Sequence, residues 1–150
     1  MPLNIVLIEP EIPNNTGNIG RLALASGSNL HLVKPFGFKI DDTRLKRAGL
    51  DYWQHINLFV YENIEEFFIK NKNATMVFLS SHGTKDHWSI DFKDTMFLIF
   101  GKESVGLPKS ITEKHKDKLY KIPLYSKHVR SLNLANAVSI VVYEGLKQIY

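Results

Sequence analysis

Residues 3–23 read LNIVLIEPEIPNNTGNIGRLA. Residues 3–8 (LNIVLI) are an apolar run of strand length. Residues 9–21 (EPEIPNNTGNIGR) gather the proline, asparagine and glycine of a loop, and the loop ends by entering a helix. Helical spacing is legible over 16–28, where Ile19, Leu22, Ala23 and Ser26 share one face. Strand, loop and helix thus follow one another within a single short stretch.

The succession recurs along the chain. Residues 30–33, 56–61, 75–80 (TMVFLS), 95–100 (TMFLIF) and 119–122 read as strands. Asp42 suits the cap of a short charged helix over 43–48, and 62–72 reads as a helix with Ile64, Phe67 and Phe68 inward. Pro108 suits the first position of a helix reaching 116, residues 89–92 form a turn or short strand, and 131–149 is the last helix. Short, wholly apolar strands alternating with helices predict an α/β fold with a parallel sheet covered on both faces. Such sheets bind ligands beyond the carboxyl ends of their strands. No repeat or linker interrupts the pattern, so residues 1–150 are expected to form one domain.

Composition narrows the function classes. The chain is 44% hydrophobic and 23% charged, which fits a packed core, and it has no cysteine. Disulfides and thiolate zinc sites are excluded, and a reducing, cytoplasmic location is expected. The first residues lack a basic, cleavable leader, and no run of 18 apolar residues suggests a membrane span. His82 and His87 have only Asp86 beside them, so no metal site is expected. The net charge of +4 weakly favours an anionic partner.

Three loops, each behind a strand, carry the candidate chemistry. In the first, Gly17 and Gly20 do not match a dinucleotide or triphosphate fingerprint, and an Asn-Thr helix cap explains much of the loop. Arg21, however, lies within an otherwise apolar helix and calls for a carboxylate or phosphate. In the second, residues 101–108 (GKESVGLP), Gly101 and Gly106 make a turn able to wrap a ligand. Glu103 there either accepts backbone amide protons or holds a ligand amine. The third, 122–139, opens the last helix, where Asn133, Asn136, Ser139 and Tyr143 form one polar stripe. The stripe either bonds to neighbouring loops or a second subunit, or lines a ligand site. Lys34, Lys39, Arg44, Lys46 and Arg47, with Lys127, His128 and Arg130, are either a solvated face or a track for a phosphate backbone.

Taken together, four blocks in order resemble the SPOUT superfamily of RNA methyltransferases: LNIVLIEPEIPNNTGNIGRLA, PFGFKIDDTRLKRAGLDYW, FGKESVGLP and IPLYSKHVRSLNLANAVSIVVYE. The resemblance is closest to the TrmL (YibK) group, whose members methylate the 2′-oxygen of the tRNA wobble nucleotide. It implies a parallel sheet with a C-terminal trefoil knot, which no periodicity would suggest. It implies S-adenosylmethionine as cofactor, held by Leu79, Gly101, Ile122, Ser131 and Leu132, with Glu103 and Gly106 also expected to bind it. It further implies a homodimer with the active site at the subunit interface. Arg21 would then act on the partner's cofactor, Asn18 and Asn133 would lie near the reacting groups, and Tyr143 near the substrate. The expected substrate is the anticodon loop of tRNA, with C or a modified U at position 34 and leucine isoacceptors foremost. Ribosomal RNA methylation, or cofactor and RNA binding without turnover, are the alternatives.

Overall fold

A computed structural model describes residues 2–150. In chain order the elements are β1 (Asn4–Ile8), α1 (Pro13–Ala25), β2 (Asn29–Val33), α2 (Thr43–Gly49), a 3₁₀ segment (Leu50–His55), β3 (Leu58–Tyr61), α3 (Ile64–Lys70), β4 (Met76–Leu79), β5 (Lys85–Asp86), β6 (Phe97–Phe100), α4 (Lys109–Lys114), β7 (Leu119–Lys121) and α5 (Leu134–Ile149). Further 3₁₀ turns occupy His87–Ser89 and Lys116–Lys118. All seven strands join one parallel sheet in the order β3-β2-β1-β6-β4-β7-β5.

Alternation along β1 explains the two-faced core, because successive side chains leave a strand on opposite sides. Ile5 and Leu7 pack with Ile19 and Ala23 of α1 and Val138, Val141 and Val142 of α5. Val6 and Ile8 pack on the other face with Phe67 of α3, Ile111 of α4 and Leu107. Each buried Val, Leu, Ile or Phe among them contributes roughly 1.5–3 kcal/mol relative to exposure.

Several element boundaries differ from expectation. Helix α1 begins at Pro13, whose ring presets helical φ, and its N-cap is Ile12, which offers no side-chain acceptor. Asn15 and Thr16 therefore lie inside the helix instead of capping it. Pro108 is the N-cap of α4 rather than its first residue, and that helix stops at Lys114. Residues 89–92 form no strand; the pairing at this edge comes from Lys85–Asp86, against β7. The last helix starts at Leu134, not 131, because Asn133 caps it with its side chain. Asp42 caps α2 as expected, accepting from the Arg44 amide at 2.8 Å.

Candidate functional site

The loop that follows β6 closes on itself. A Cβ on Gly101 would stand 2.1 Å from the Gly106 carbonyl carbon and 2.2 Å from the Leu107 nitrogen, so only glycine permits the approach. The Gly106 amide donates to the Lys102 carbonyl at 2.9 Å, and Gly106 itself takes φ +73°. The tight turn between them aims Glu103 at the start of α1.

Glu103 answers the absence of a side-chain cap on that helix. Its carboxylate accepts the Glu11 amide at 2.8 Å, the Ile12 amide at 2.9 Å and the Asn15 side-chain amide at 3.2 Å. Amides at a helix start have no intrahelical acceptor, and an anion there is favoured. In return Glu11 accepts the Ser104 amide at 2.8 Å, and hydrogen bonding to Ser104 holds the Glu11 carboxyl below its ordinary range. The two loops are thus latched by reciprocal bonds. Of the two roles open for Glu103, the structure shows acceptance of backbone amides, those at the start of α1.

Asn15 carries the connection onward. Since its NH₂ faces the carboxylate, its oxygen is free to accept from the Asn133 side chain, at 3.1 Å. The Asn133 oxygen accepts the Ala135 amide at 2.9 Å and the Asn136 amide at 3.3 Å. A chain of polar contacts, Glu103–Asn15–Asn133, therefore joins the glycine loop and the starts of α1 and α5.

These elements wall a single cleft of about 1000 Å³ beyond the carboxyl ends of β4, β6 and β7. Leu79, Gly101, Glu103, Gly106, Ile122, Ser131, Leu132 and Asn133 all line it, along with Asn15. Leu79 and Gly101 are buried; Ser131 and Leu132 belong to the extended approach to α5. The size suits a nucleoside-sized ligand, with an apolar floor and few polar groups to orient it. His82, Lys102 and Arg130 add basic groups to the wall.

Asn18, Arg21 and Tyr143 stand apart from the cleft. Asn14, Asn18, Arg21 and Ala25 form the exposed face of α1. The Arg21 guanidinium lies over the Tyr52 ring, 5.0 Å from its centroid. Tyr143 is exposed on α5 near the exposed Ile140. The polar stripe of α5 is accordingly split: Asn133 reaches the cleft, Ser139 donates back to the Ala135 carbonyl at 2.8 Å, and Asn136 and Tyr143 face outward. In the basic segment, Lys34 pairs with Glu62 at 2.9 Å and Arg44 with Asp42 at 3.1 Å, while Lys39, Lys46 and Arg47 are exposed.

Asn15 is the site residue that sequence reading missed. Had α1 been started at Pro13, the 3.6-residue period would have aligned Asn15 with Ile19 and Leu22 on the inner face and put Asn18 outside. Among the described residues, no cluster of three His, Cys, Asp or Glu could hold a metal, and no helix is long and apolar enough to cross a membrane.

A parallel sheet with a glycine-closed cleft at its strand ends defines an α/β ligand-binding scaffold. The chain belongs to the SpoU rRNA Methylase family, which it matches over residues 2–143. It is 44% identical to a protein of Geobacillus stearothermophilus provisionally named a tRNA (cytidine(34)-2′-O)-methyltransferase, across 99% of this chain and 96% of that one. A solved structure concerning 2-OH methylation of C/U34 on tRNA superposes with a TM-score of 0.93 at 40% identity, covering 97% of this chain and 95% of the other. An AdoMet-bound rRNA methyltransferase of Sinorhizobium meliloti superposes with a TM-score of 0.89 at 26% identity, covering 99% of this chain and 57% of that one.

Proposed function

We propose that the protein is an S-adenosylmethionine-dependent methyltransferase acting on the ribose 2′-oxygen of the tRNA wobble nucleotide, C or a modified U at position 34. The observation that carries this reading is the glycine-closed cleft, built by the same loops that resemble the wobble methyltransferases. Relatives across the full chain length support the substrate, and the AdoMet-bound neighbour supports the cofactor.

The residues fit that cofactor. Gly101 lets the loop fold tightly onto Gly106 and Leu107 and so shapes the wall of the cleft, and Leu79, Ile122 and Leu132 offer apolar contact. Ser131, Glu103 and Gly106 complete the walls. S-adenosylmethionine supplies an already activated methyl group, so what falls to the chain is orientation and help with deprotonating the ribose hydroxyl. Asn133, anchored through Asn15, orients groups at the mouth of the cleft. Arg21 binds the adjacent phosphate and polarises the hydroxyl; a guanidinium keeps its proton, so the proton leaves to solvent.

Arg21, Asn18 and Tyr143 lie outside the cleft of their own chain, which favours a homodimer in which α1 and α5 face a second copy and Arg21 serves the partner's site. The C-terminal segment, with β7 beside β4 and the approach to α5 lining the same cleft as the glycine loop, is proposed to be threaded as a trefoil knot. With tRNA as substrate, the cytoplasm is the working compartment.

The test is incubation with labelled S-adenosylmethionine and tRNA from a strain lacking the enzyme. Label at nucleotide 34, in leucine isoacceptors first, is expected. Arg21→Ala is expected to bind cofactor yet lose methylation. Label in ribosomal RNA alone, or in no RNA, would overturn the reading.

A further inference from the structure

A long, exposed side chain such as Arg21 loses considerable rotamer entropy when it must occupy one geometry. The structure supplies a support for it. The 3₁₀ segment Leu50–His55 lies along α1, and two neighbouring residues of each meet in pairs. Trp53 sits against Gly20, where a Cβ would come within 2.8 Å of the indole and 2.7 Å of Ile56 Cδ1. The Ile56 amide donates to the Trp53 carbonyl at 3.2 Å and closes the turn. With the indole seated on bare helix backbone, the next ring, Tyr52, falls against Arg21 at 5.0 Å, inside the range of a cation–π contact.

We infer that Tyr52 is a positioning residue for Arg21, holding its guanidinium ready for the phosphate and hydroxyl of the RNA. This rests on the role proposed for Arg21 above. The chemistry favours a ring over a carboxylate as the support. A carboxylate would neutralise the cation and occupy its donors, as Asp42 does with Arg44. An aromatic face attracts the cation through its quadrupole and leaves the in-plane N–H groups free for the substrate. Among the described residues, no carboxylate competes for Arg21.

The experiment compares Tyr52→Phe, Tyr52→Leu and Arg21→Ala with the parent in tRNA methylation kinetics, cofactor binding and melting temperature. The Arg21 δ-methylene proton shifts are read by NMR alongside. Tyr52→Phe keeps the ring and is expected within about twofold of the parent. Tyr52→Leu is expected to lose at least about fivefold in kcat, with cofactor affinity and melting temperature unchanged. The upfield ring-current shift of the Arg21 protons should persist in the Phe variant and vanish in the Leu variant. Parental kcat in Tyr52→Leu beside an inactive Arg21→Ala overturns the inference. So does equal loss in the Phe and Leu variants. Arg21 protons at unshifted positions in the parent overturn it whatever the kinetics. Full activity of Arg21→Ala refutes the role of Arg21 instead, and the NMR shifts keep that failure distinct from failure of the Tyr52 contact.

Discussion

Glu103→Ala removes one carboxylate that three donors share. Two of them, the Glu11 and Ile12 amides, stand at the entrance to α1, where the N-cap provides no side-chain acceptor. The third is Asn15, through which Asn133 is held. A hydrogen bond to a charged acceptor contributes roughly 1.5–3 kcal/mol when protected from water. Here Ile12 is exposed and Glu103 half-buried, so water replaces part of what is lost. Two of the three bonds are partly buried and the Ile12 one is exposed, so each falls below the protected value and together they should cost about 2–3 kcal/mol. Glu103→Gln keeps one acceptor oxygen but turns an NH₂ toward donors, and should cost about half as much. Urea unfolding at fixed protomer concentration measures both, with the denaturant slope unchanged. Cofactor affinity, by calorimetry, should fall about tenfold in the Ala variant, because the glycine turn and Asn133 lose their common anchor. An Ala variant as stable as the parent, or a Gln variant less stable than Ala, would refute the latch.

Two further outcomes follow from other parts of the molecule. Buried His31 lies 2.8 Å from the Asn4 side-chain oxygen and 2.9 Å from the Tyr61 hydroxyl. That oxygen only accepts, so Nε2 carries the proton and Nδ1 takes the hydroxyl's. Burial pushes the His31 pKa down from 6.5 to about 4. The unfolded chain therefore protonates first: the stability contributed by neutral His31 is complete above the unfolded value of 6.5 and drains away as pH falls toward 4. The total loss is about 3 kcal/mol, at roughly 1.4 kcal/mol per pH unit. Urea unfolding across that window, beside His31→Gln, measures it; an NMR titration midpoint near the ordinary histidine value would falsify it. Gly101→Ala should cost about 2–4 kcal/mol and abolish cofactor binding, because the obstructing atoms are backbone. Gly27→Ala, with φ +67° and open space around it, is the control and should cost only about 1 kcal/mol and leave binding intact; equal effects at both glycines would refute the close-approach argument.

Much of the architecture was legible in the chain. Apolar runs such as TMVFLS and TMFLIF can sit only where both faces are covered, and they became neighbouring central strands, β4 and β6. The cleft residues were legible for a related reason. Leu79, Gly101 and Ile122 lie at or just beyond strand ends, and a parallel sheet brings those ends together. Boundaries were less legible. Asn14, Asn15, Thr16 and Asn18 have similar local preferences, and it is the start of α1 at Pro13 that lets the helical period bury Asn15 and expose Asn18.

Periodicity and backbone freedom are local properties, so the strand–helix alternation, the two-sided core and the glycine turn after β6 could be read from the order of residues. Tertiary structure alone decided that Glu103 caps a helix 91 residues earlier in the chain, and that Asn15 instead of Asn18 meets Asn133. It alone set Tyr52 against Arg21. Such pairings depend on which strand lies beside which, and sheet order is settled by the packing of the whole chain.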